Sequence, residues 1–181
     1  MPLPTYDDVL AAAARIAPHA HATPVLRSRA LDALAGCELH FKAEPLQRTG
    51  AFKFRGACNA VWALDEATAA RGVVTHSSGN HGAALALAAR TRGIPCHVVV
   101  PEGANAAKRA NIARQGATLH TCAATIAARE ATAARVQAAR GAVSVKSASV
   151  AAVIARMAPG ADVDLLTATV RQWKHLAAMT Q

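Results

Sequence analysis

The middle of the sequence alternates between short apolar runs and longer alanine-rich runs, and a glycine follows each long run. The short runs are rich in valine, which is typical of strands that are covered on both faces of a sheet. The long runs have the length of helices, and Gly93, Gly116 and Gly141 stand where left-handed helix caps are expected. Strand–helix–strand units of this kind join parallel strands through right-handed crossovers. The pattern therefore predicts an α/β layered fold with a parallel sheet over about residues 70–145.

Within this region the predicted strands are 72–76, 95–100, 118–121 and 143–145, and the predicted helices are 81–92, 106–115 and 126–140. The N-terminal part has weaker signals, because its apolar runs are shorter. There we predict a helix over 7–17, extended chain at 23–26, a strand at 39–43, a turn at 47–50 and a helix from about 51 to 64. An amphipathic helix is also predicted over 162–181.

The charge of the chain narrows the classes of partner. The formal net charge is +9, but the lysines and arginines are scattered through alanine-rich segments. Nucleic-acid binders instead combine basic clusters with interleaved aromatic residues, and aromatic residues are only 3% of this chain. We therefore expect no nucleic-acid partner. The positive field of the chain instead favours binding of a small anionic ligand.

The sequence also disfavours a membrane protein, a secreted protein and a metal-binding protein. No stretch approaches the roughly 18 unbroken apolar residues that a membrane span needs, so no membrane partner is predicted. The N-terminus lacks the basic and apolar regions of a secretory signal. The four cysteines form no CxxC pair, so we predict free thiols in a cytoplasmic protein and no metal site.

The segment Thr75–Gly82 joins a predicted strand to a predicted helix and reads THSSGNHG. Uncapped backbone N–H groups and the positive end of the helix dipole meet at such a junction, which makes it an anion site. Ser77 and Ser78 add hydroxyl donors, and Gly79 permits a close approach. The alternative is an ordinary turn in which Ser77 or Ser78 only caps the helix, and the local chemistry leaves both possibilities open. The segment is not a P-loop, because no Gly-Lys-Ser/Thr follows.

The segment Gln47–Ala57 places Lys53 near a predicted helix start, between Phe52 and Phe54. An ammonium held among apolar groups, near Arg55 or a helix N-terminus, has its neutral form favoured. A neutral amine is the form that Schiff-base chemistry requires. The alternative is a lysine whose stem covers apolar surface while its ammonium reaches water.

Together the two segments resemble a known family. Residues Lys42–Ala57, KAEPLQRTGAFKFRGA, resemble the lysine motif of the fold-type II pyridoxal-phosphate enzymes. Residues Ser77–Gly82, SSGNHG, resemble their substrate-carboxylate loop, and His81 is similar to the branch of serine/threonine dehydratases and serine racemases. The resemblance runs from about residue 5 to residue 140, with a remnant at Ala152–Ala155. It implies the parallel-sheet fold of the tryptophan synthase beta-like enzymes.

The resemblance also implies a role for each matching residue. Lys53 would bind pyridoxal 5'-phosphate as a Schiff base and remove the α-proton of the bound amino acid. Phe52 would pack near the pyridine ring, and Asn80 would hydrogen-bond the 3-hydroxyl of the cofactor. Ser78 matches the position that serves racemases as the base on the face opposite the lysine. The residues implied around the substrate are Ser77, Ser78, Gly79, Asn80 and His81.

The implied reaction is the dehydration of serine or threonine, in which β-elimination gives a 2-oxo acid and ammonia. Serine racemisation stays open, because a racemase needs a second base and Ser78 is available. A third possibility is an inactive remnant without catalysis. The hypothesis of an active enzyme includes completion of the site by self-association, as a homo-oligomer.

The resemblance divides the chain into three parts. Residues 1–55 would belong to the large cofactor domain, 56–145 would form the small α/β domain, and 146–181 would be a divergent helical tail. Family members normally continue with a Gly-rich loop for the cofactor phosphate, a Ser or Cys facing the pyridine nitrogen, and acidic ligands for a divalent cation. After position 155 this sequence matches none of these, and Lys146–Ala151 replaces a proline- and aspartate-containing stretch. We therefore expect an incomplete large domain, in a truncated or frame-disrupted family member.

Overall fold

The predicted alternation of strands and helices is present in the structure, a computed structural model that describes residues 5–147. The remnant at 152–155 and the helix predicted over 162–181 lie outside the described residues. The helices are α1 (Tyr6–Ile16), α2 (Arg29–Ala35), α3 (Lys53–Trp62), α4 (Glu66–Ala70), α5 (Asn80–Arg92), α6 (Ala106–Arg114) and α7 (Ile126–Arg140). The strands are β1 (Val25–Leu26), β2 (Phe41–Lys42), β3 (Val73–His76), β4 (Cys96–Pro101), β5 (Thr118–Cys122) and β6 (Val143–Ser144). Two 3₁₀ turns, Glu44–Leu46 and Arg48–Gly50, precede α3.

The main sheet has four parallel strands in the order β5-β4-β3-β6. Its register pairs Val74 with His97 and, on the other side of β3, Val73 with Val143. The strand order reverses at β3, because β4 and β5 lie on one side of it and β6 lies on the other. These observations confirm the predicted α/β fold with a parallel sheet. β1 and β2 form a separate antiparallel pair.

The valine-rich strands are buried because helices cover both faces of the sheet. On one face, Val98 and Val100 pack with Phe54 of α3 and Leu85 of α5. On the other face, Val99 belongs to a cluster with residues of α7. Side chains alternate between the faces along a strand, so a continuous apolar run fills both cores.

Helices α3 and α5 pack directly against each other. Most of the buried residues of α5 are alanines, with Leu85 the largest of them. Small side chains let two helix axes approach closely, because the interaxial distance is set by the residues at the contact. The low content of large side chains in this chain is therefore compatible with a close-packed core.

A bidentate ion pair joins α3 to the chain that precedes it. The Arg55 guanidinium donates to both carboxylate oxygens of Glu44, Nε to Oε2 at 2.9 Å and Nη2 to Oε1 at 2.7 Å. These bonds hold the pKa of Glu44 below its ordinary value, against the effect of its burial. Arg55 Nη2 also donates to the Thr23 hydroxyl at 3.1 Å. The pair joins α3 to the 3₁₀ turn Glu44–Leu46.

Most predicted elements are confirmed, but two elements of the N-terminal part are shorter than predicted. The strand predicted over 39–43 is reduced to Phe41–Lys42, and the helix predicted from 51 to 64 is Lys53–Trp62. Gly93 and Gly141 have the positive φ of left-handed caps. The four cysteines are free thiols. None of the helices described between residues 5 and 147 has the length and apolar character to cross a membrane.

One glycine of α5 is required by close packing. A Cβ added at Gly82 would lie 2.6 Å from the Ser77 carbonyl oxygen and 3.2 Å from both Ile112 and Val98. We expect Gly82→Ala to lower the free energy of unfolding by about 1–3 kcal/mol, because the backbone must shift. Gly56 of α3 is the matched control, since a Cβ there meets nothing within 4 Å.

Denaturant titration of both variants checks this. Gly56→Ala is expected to be neutral or to stabilise by up to about 1 kcal/mol, since alanine is the better helix former. Equal destabilisation by the two substitutions would contradict the close packing assigned to Gly82.

Two histidines on neighbouring strands form a pair, in which His97 is buried and His120 is half-buried. His120 Nε2 and His97 Nδ1 lie 3.2 Å apart, which requires one ring to donate and the other to accept. Burial lowers the pKa of both rings. The charges of His120 and Arg140 lower the pKa of His97 further. The charges of Arg140 and Arg135 lower the pKa of His120 further. The folded protein therefore binds protons here less readily than the unfolded chain does.

This pair makes stability dependent on pH. The unfolded histidines take up protons near their ordinary pKa of about 6.5, whereas the folded pair resists protonation. The contribution is therefore complete above that pH and is lost as the pH falls below it. We expect the free energy of unfolding to decline from pH 7 to pH 5, and His120→Asn to reduce this decline. His40→Gln, at an exposed position, is the control, and an unchanged pH profile for His120→Asn would refute the role of the pair.

Candidate active site

The candidate site lies where the strand order of the sheet reverses. Ligands of open α/β sheets bind outside the carboxyl ends of the strands, at the point of such a reversal. Here that point lies between β3, which ends at His76, and β6, which ends at Ser144. The loop Ser77–Gly79 follows β3 and leads directly into α5. The SSGNHG segment is therefore at the position where the architecture expects a ligand.

The loop after β3 is held by its own hydrogen bonds. The Ser77 N–H donates to the Val99 carbonyl at 3.1 Å, which extends the ladder between β3 and β4. The Ser77 hydroxyl accepts from the Gly79 N–H at 3.3 Å. Gly79 is the N-cap residue of α5, and this cap makes no side-chain hydrogen bond. The alternative in which Ser77 or Ser78 is the N-cap is therefore wrong, while the N-terminal dipole of α5 is directed at this loop.

Lys53 is the first residue of α3, as predicted. Its side chain is half-buried, between the exposed ring of Phe52 and the fully buried ring of Phe54. Lys53 Nζ lies 5.0 Å from the centroid of the Phe52 ring. Arg55, whose charge was expected to act on Lys53, is paired instead with Glu44.

His81 connects the start of α5 to the chain that leaves β6. Its ring is only 8% exposed, and its Nε2 lies 3.2 Å from the Val145 carbonyl oxygen. A carbonyl accepts only, so Nε2 carries the proton of this bond. Burial is the main cause that lowers the pKa of His81, and the positive charge of Lys53 lowers it further. The ring is therefore neutral at pH 7.

The predicted site residues differ in accessibility. Ser77, Ser78 and Gly79 are half-buried, and Asn80 is exposed at the first position of α5. His81 is buried with its ring nitrogen directed to the main chain after β6. The loop thus presents hydroxyl, amide and backbone groups to a ligand.

Sequence reasoning missed two residues that contact the site. Val145 supplies the carbonyl for His81, and the Ser147 hydroxyl accepts from Lys53 Nζ at 3.2 Å. Val145 follows β6 directly, and Ser147 lies three residues after the end of that strand. The strand was predicted, and its position at the reversal of the sheet was the signal that could have found both residues. The ion pair of Glu44 and Arg55 was also missed, although both residues lie in the KAEPLQRTGAFKFRGA segment.

The buried thiols do not compete with Lys53 as nucleophiles. Burial raises the pKa of Cys58 to about 11 and that of Cys96 to about 12. Since the thiolate is the nucleophilic form of cysteine, both side chains are unreactive near neutral pH.

The residues present fit the aldehyde part of pyridoxal phosphate. Lys53 offers a primary amine, the group with which an aldehyde condenses. The Phe52 ring, 41% exposed beside that amine, offers an apolar face for a pyridine ring. Asn80 offers an exposed amide, and the loop Ser77–Gly79 offers anion-binding groups at a helix N-terminus.

Comparisons with known proteins agree with this geometry. The family model for pyridoxal-phosphate dependent enzymes matches residues 16–161. The beta-hydroxyaspartate dehydratase of Paracoccus denitrificans is 51% identical over 141 residues, which are 78% of this chain and 45% of that protein. The serine racemase of Oryza sativa subsp. indica is 52% identical over 132 residues, which are 73% of this chain and 39% of that protein.

A similarity of structure accompanies the similarity of sequence. The structure of maize serine racemase superposes with a TM-score of 0.78 and 48% identity, over 80% of this chain and 44% of the racemase. This match confirms the fold-type II architecture. The chain spans less than half the length of each of these three relatives. With a family model that matches most of its length and with these relatives, the chain belongs to the family of pyridoxal-phosphate dependent enzymes of fold type II.

Proposed function

We propose that this chain carries the lysine and substrate-loop portion of an ammonia-lyase that acts on a small hydroxy amino acid. The reaction is a β-elimination that yields a 2-oxo acid and ammonia from serine, threonine or 3-hydroxyaspartate. The proposal is supported most directly by the short segment after β6, which contacts His81 of the SSGNHG loop through Val145 and Lys53 through Ser147. The names of the relatives, a hydroxyaspartate dehydratase among them, support this class of substrate.

In this proposal the SSGNHG loop binds the substrate carboxylate. The hydroxyls of Ser77 and Ser78 and the backbone N–H groups at the start of α5 are donors, and the helix dipole favours an anion there. The neutral ring of His81 adds no charge, and its bond to Val145 fixes the first turn of α5 relative to β6. The carboxylate is thereby oriented with respect to Lys53.

Lys53 has the proton-transfer role. When bound, pyridoxal phosphate supplies an electron sink for the charge that develops at the substrate α-carbon. Lys53 Nζ takes the α-proton, and for this it must be neutral and must face that carbon. Phe52 and Asn80 are the residues proposed to hold the cofactor ring and its 3-hydroxyl beside the amine.

Serine racemisation is the second candidate, with Ser78 of the loop proposed as its second base. Racemisation needs a base on each side of the α-carbon, whereas elimination needs one. Ser78 lies in the loop, three residues before the buried His81. Serine racemases are also among the relatives with 52% identity. A chain that binds neither cofactor nor substrate is the remaining alternative.

The test of the proposal is turnover with added pyridoxal phosphate. The protein is incubated with serine, threonine or 3-hydroxyaspartate, and the 2-oxo acid and ammonia are measured. Lys53→Ala is expected to lower the rate by about 10² to 10⁴-fold, the usual contribution of a positioned acid–base group. Lys108→Ala, on the exposed surface of α6, should keep the full rate. Turnover that is unaffected by Lys53→Ala would rule out the assigned role.

The same reaction mixtures separate the two candidate functions. Chiral chromatography of the remaining serine detects the D-enantiomer, while the 2-oxo acid reports elimination. If Ser78 is the second base, Ser78→Ala abolishes formation of D-serine and leaves elimination measurable. D-serine formed at an unchanged rate by Ser78→Ala would show that Ser78 is not that base.

A further inference from the structure

A short segment after β6 connects both halves of the candidate site. The Val145 N–H donates to the Val74 carbonyl of β3 at 2.9 Å, and the Val145 carbonyl accepts from His81 of α5. Two residues later, the Ser147 hydroxyl accepts a hydrogen bond from Lys53 Nζ at 3.2 Å. Val145 is thus anchored to the sheet and to α5, and this anchoring places Ser147 beside the start of α3.

The contact with Ser147 restricts the movement of the Lys53 amine. Condensation with a carbonyl compound requires Nζ to move toward the carbonyl carbon with its lone pair directed at that carbon. The hydrogen bond from Nζ to the Ser147 hydroxyl opposes this movement, because it must break before Nζ leaves the segment after β6.

We propose that Ser147 is a positioning residue that restrains Lys53, keeping its amine directed toward the segment after β6 until a carbonyl compound displaces it. The inference rests on the proposed function only in taking Lys53 as the amine that reacts.

The experiment measures the reactivity of Lys53 without the cofactor. Formaldehyde with a borane reductant methylates neutral, accessible amines, and mass spectrometry of proteolytic peptides gives the rate for each lysine. The rate at Lys53 is divided by the rate at Lys108, which is exposed on α6. Ser147→Ala is expected to raise this ratio about threefold, since one solvent-exposed, charge-assisted bond is lost.

Two further variants make the result specific. Ser147→Thr keeps the hydroxyl and should restore the ratio of the unsubstituted protein. Ser144→Ala removes an exposed serine three residues earlier and should leave the ratio unchanged. The rate at Lys42, whose Nζ donates to the Thr23 carbonyl at 2.7 Å, verifies that the fold is intact in each variant.

The outcomes are distinct from those of the turnover assay. The proposal is overturned if Ser147→Ala leaves the ratio unchanged or lowers it, or if Ser147→Thr raises it as much as Ser147→Ala does. Because labelling needs neither cofactor nor substrate, absent turnover would refute the proposed function while leaving a labelling difference between the variants intact.

Discussion

The reversal of strand order at β3 is the constraint on which the site depends. β4 and β5 lie on one side of β3 and β6 lies on the other, so the chain leaves the carboxyl ends of β3 and β6 in neighbouring positions. The loop after β3 leads into α5, and the segment after β6 returns to His81 and Lys53. Without this reversal, the loop Ser77–Gly79 and the segment that contacts the lysine would not meet at one edge of the sheet.

Packing then fixes the amine relative to the loop. α3 and α5 lie against each other through small residues, and Gly82 leaves room for the Ser77 carbonyl at the base of the loop. At the other end of the site, the ion pair of Arg55 with Glu44 joins α3 to the turn that precedes it. Lys53 therefore lies at the start of a helix that packs against α5 and is joined to the N-terminal segment by the ion pair of Arg55 with Glu44.

The sequence predicted the layered α/β fold, because valine runs and glycine caps are local signals with a direct structural cause. It also predicted Lys53 at a helix start and the loop Ser77–Gly79 between a strand and a helix. It did not predict α2 and α4, although Ser28 and Asp65 accept the expected capping bonds; these helices are short and bury little. The contacts of His81 with Val145 and of Lys53 with Ser147 join residues more than 60 positions apart. Such contacts follow from the strand order, which periodicity alone does not specify.

In the proposed function, Lys53 removes the α-proton of an amino acid held by the SSGNHG loop. Elimination and racemisation share this step, so exchange of the substrate α-hydrogen tests it independently of the final product. In D₂O with pyridoxal phosphate, we expect the α-proton signal of serine in the ¹H NMR spectrum to decay in the presence of the protein, and not to decay with Lys53→Ala. Equal decay with both proteins, or none with either while the cofactor is bound to Lys53, would contradict it.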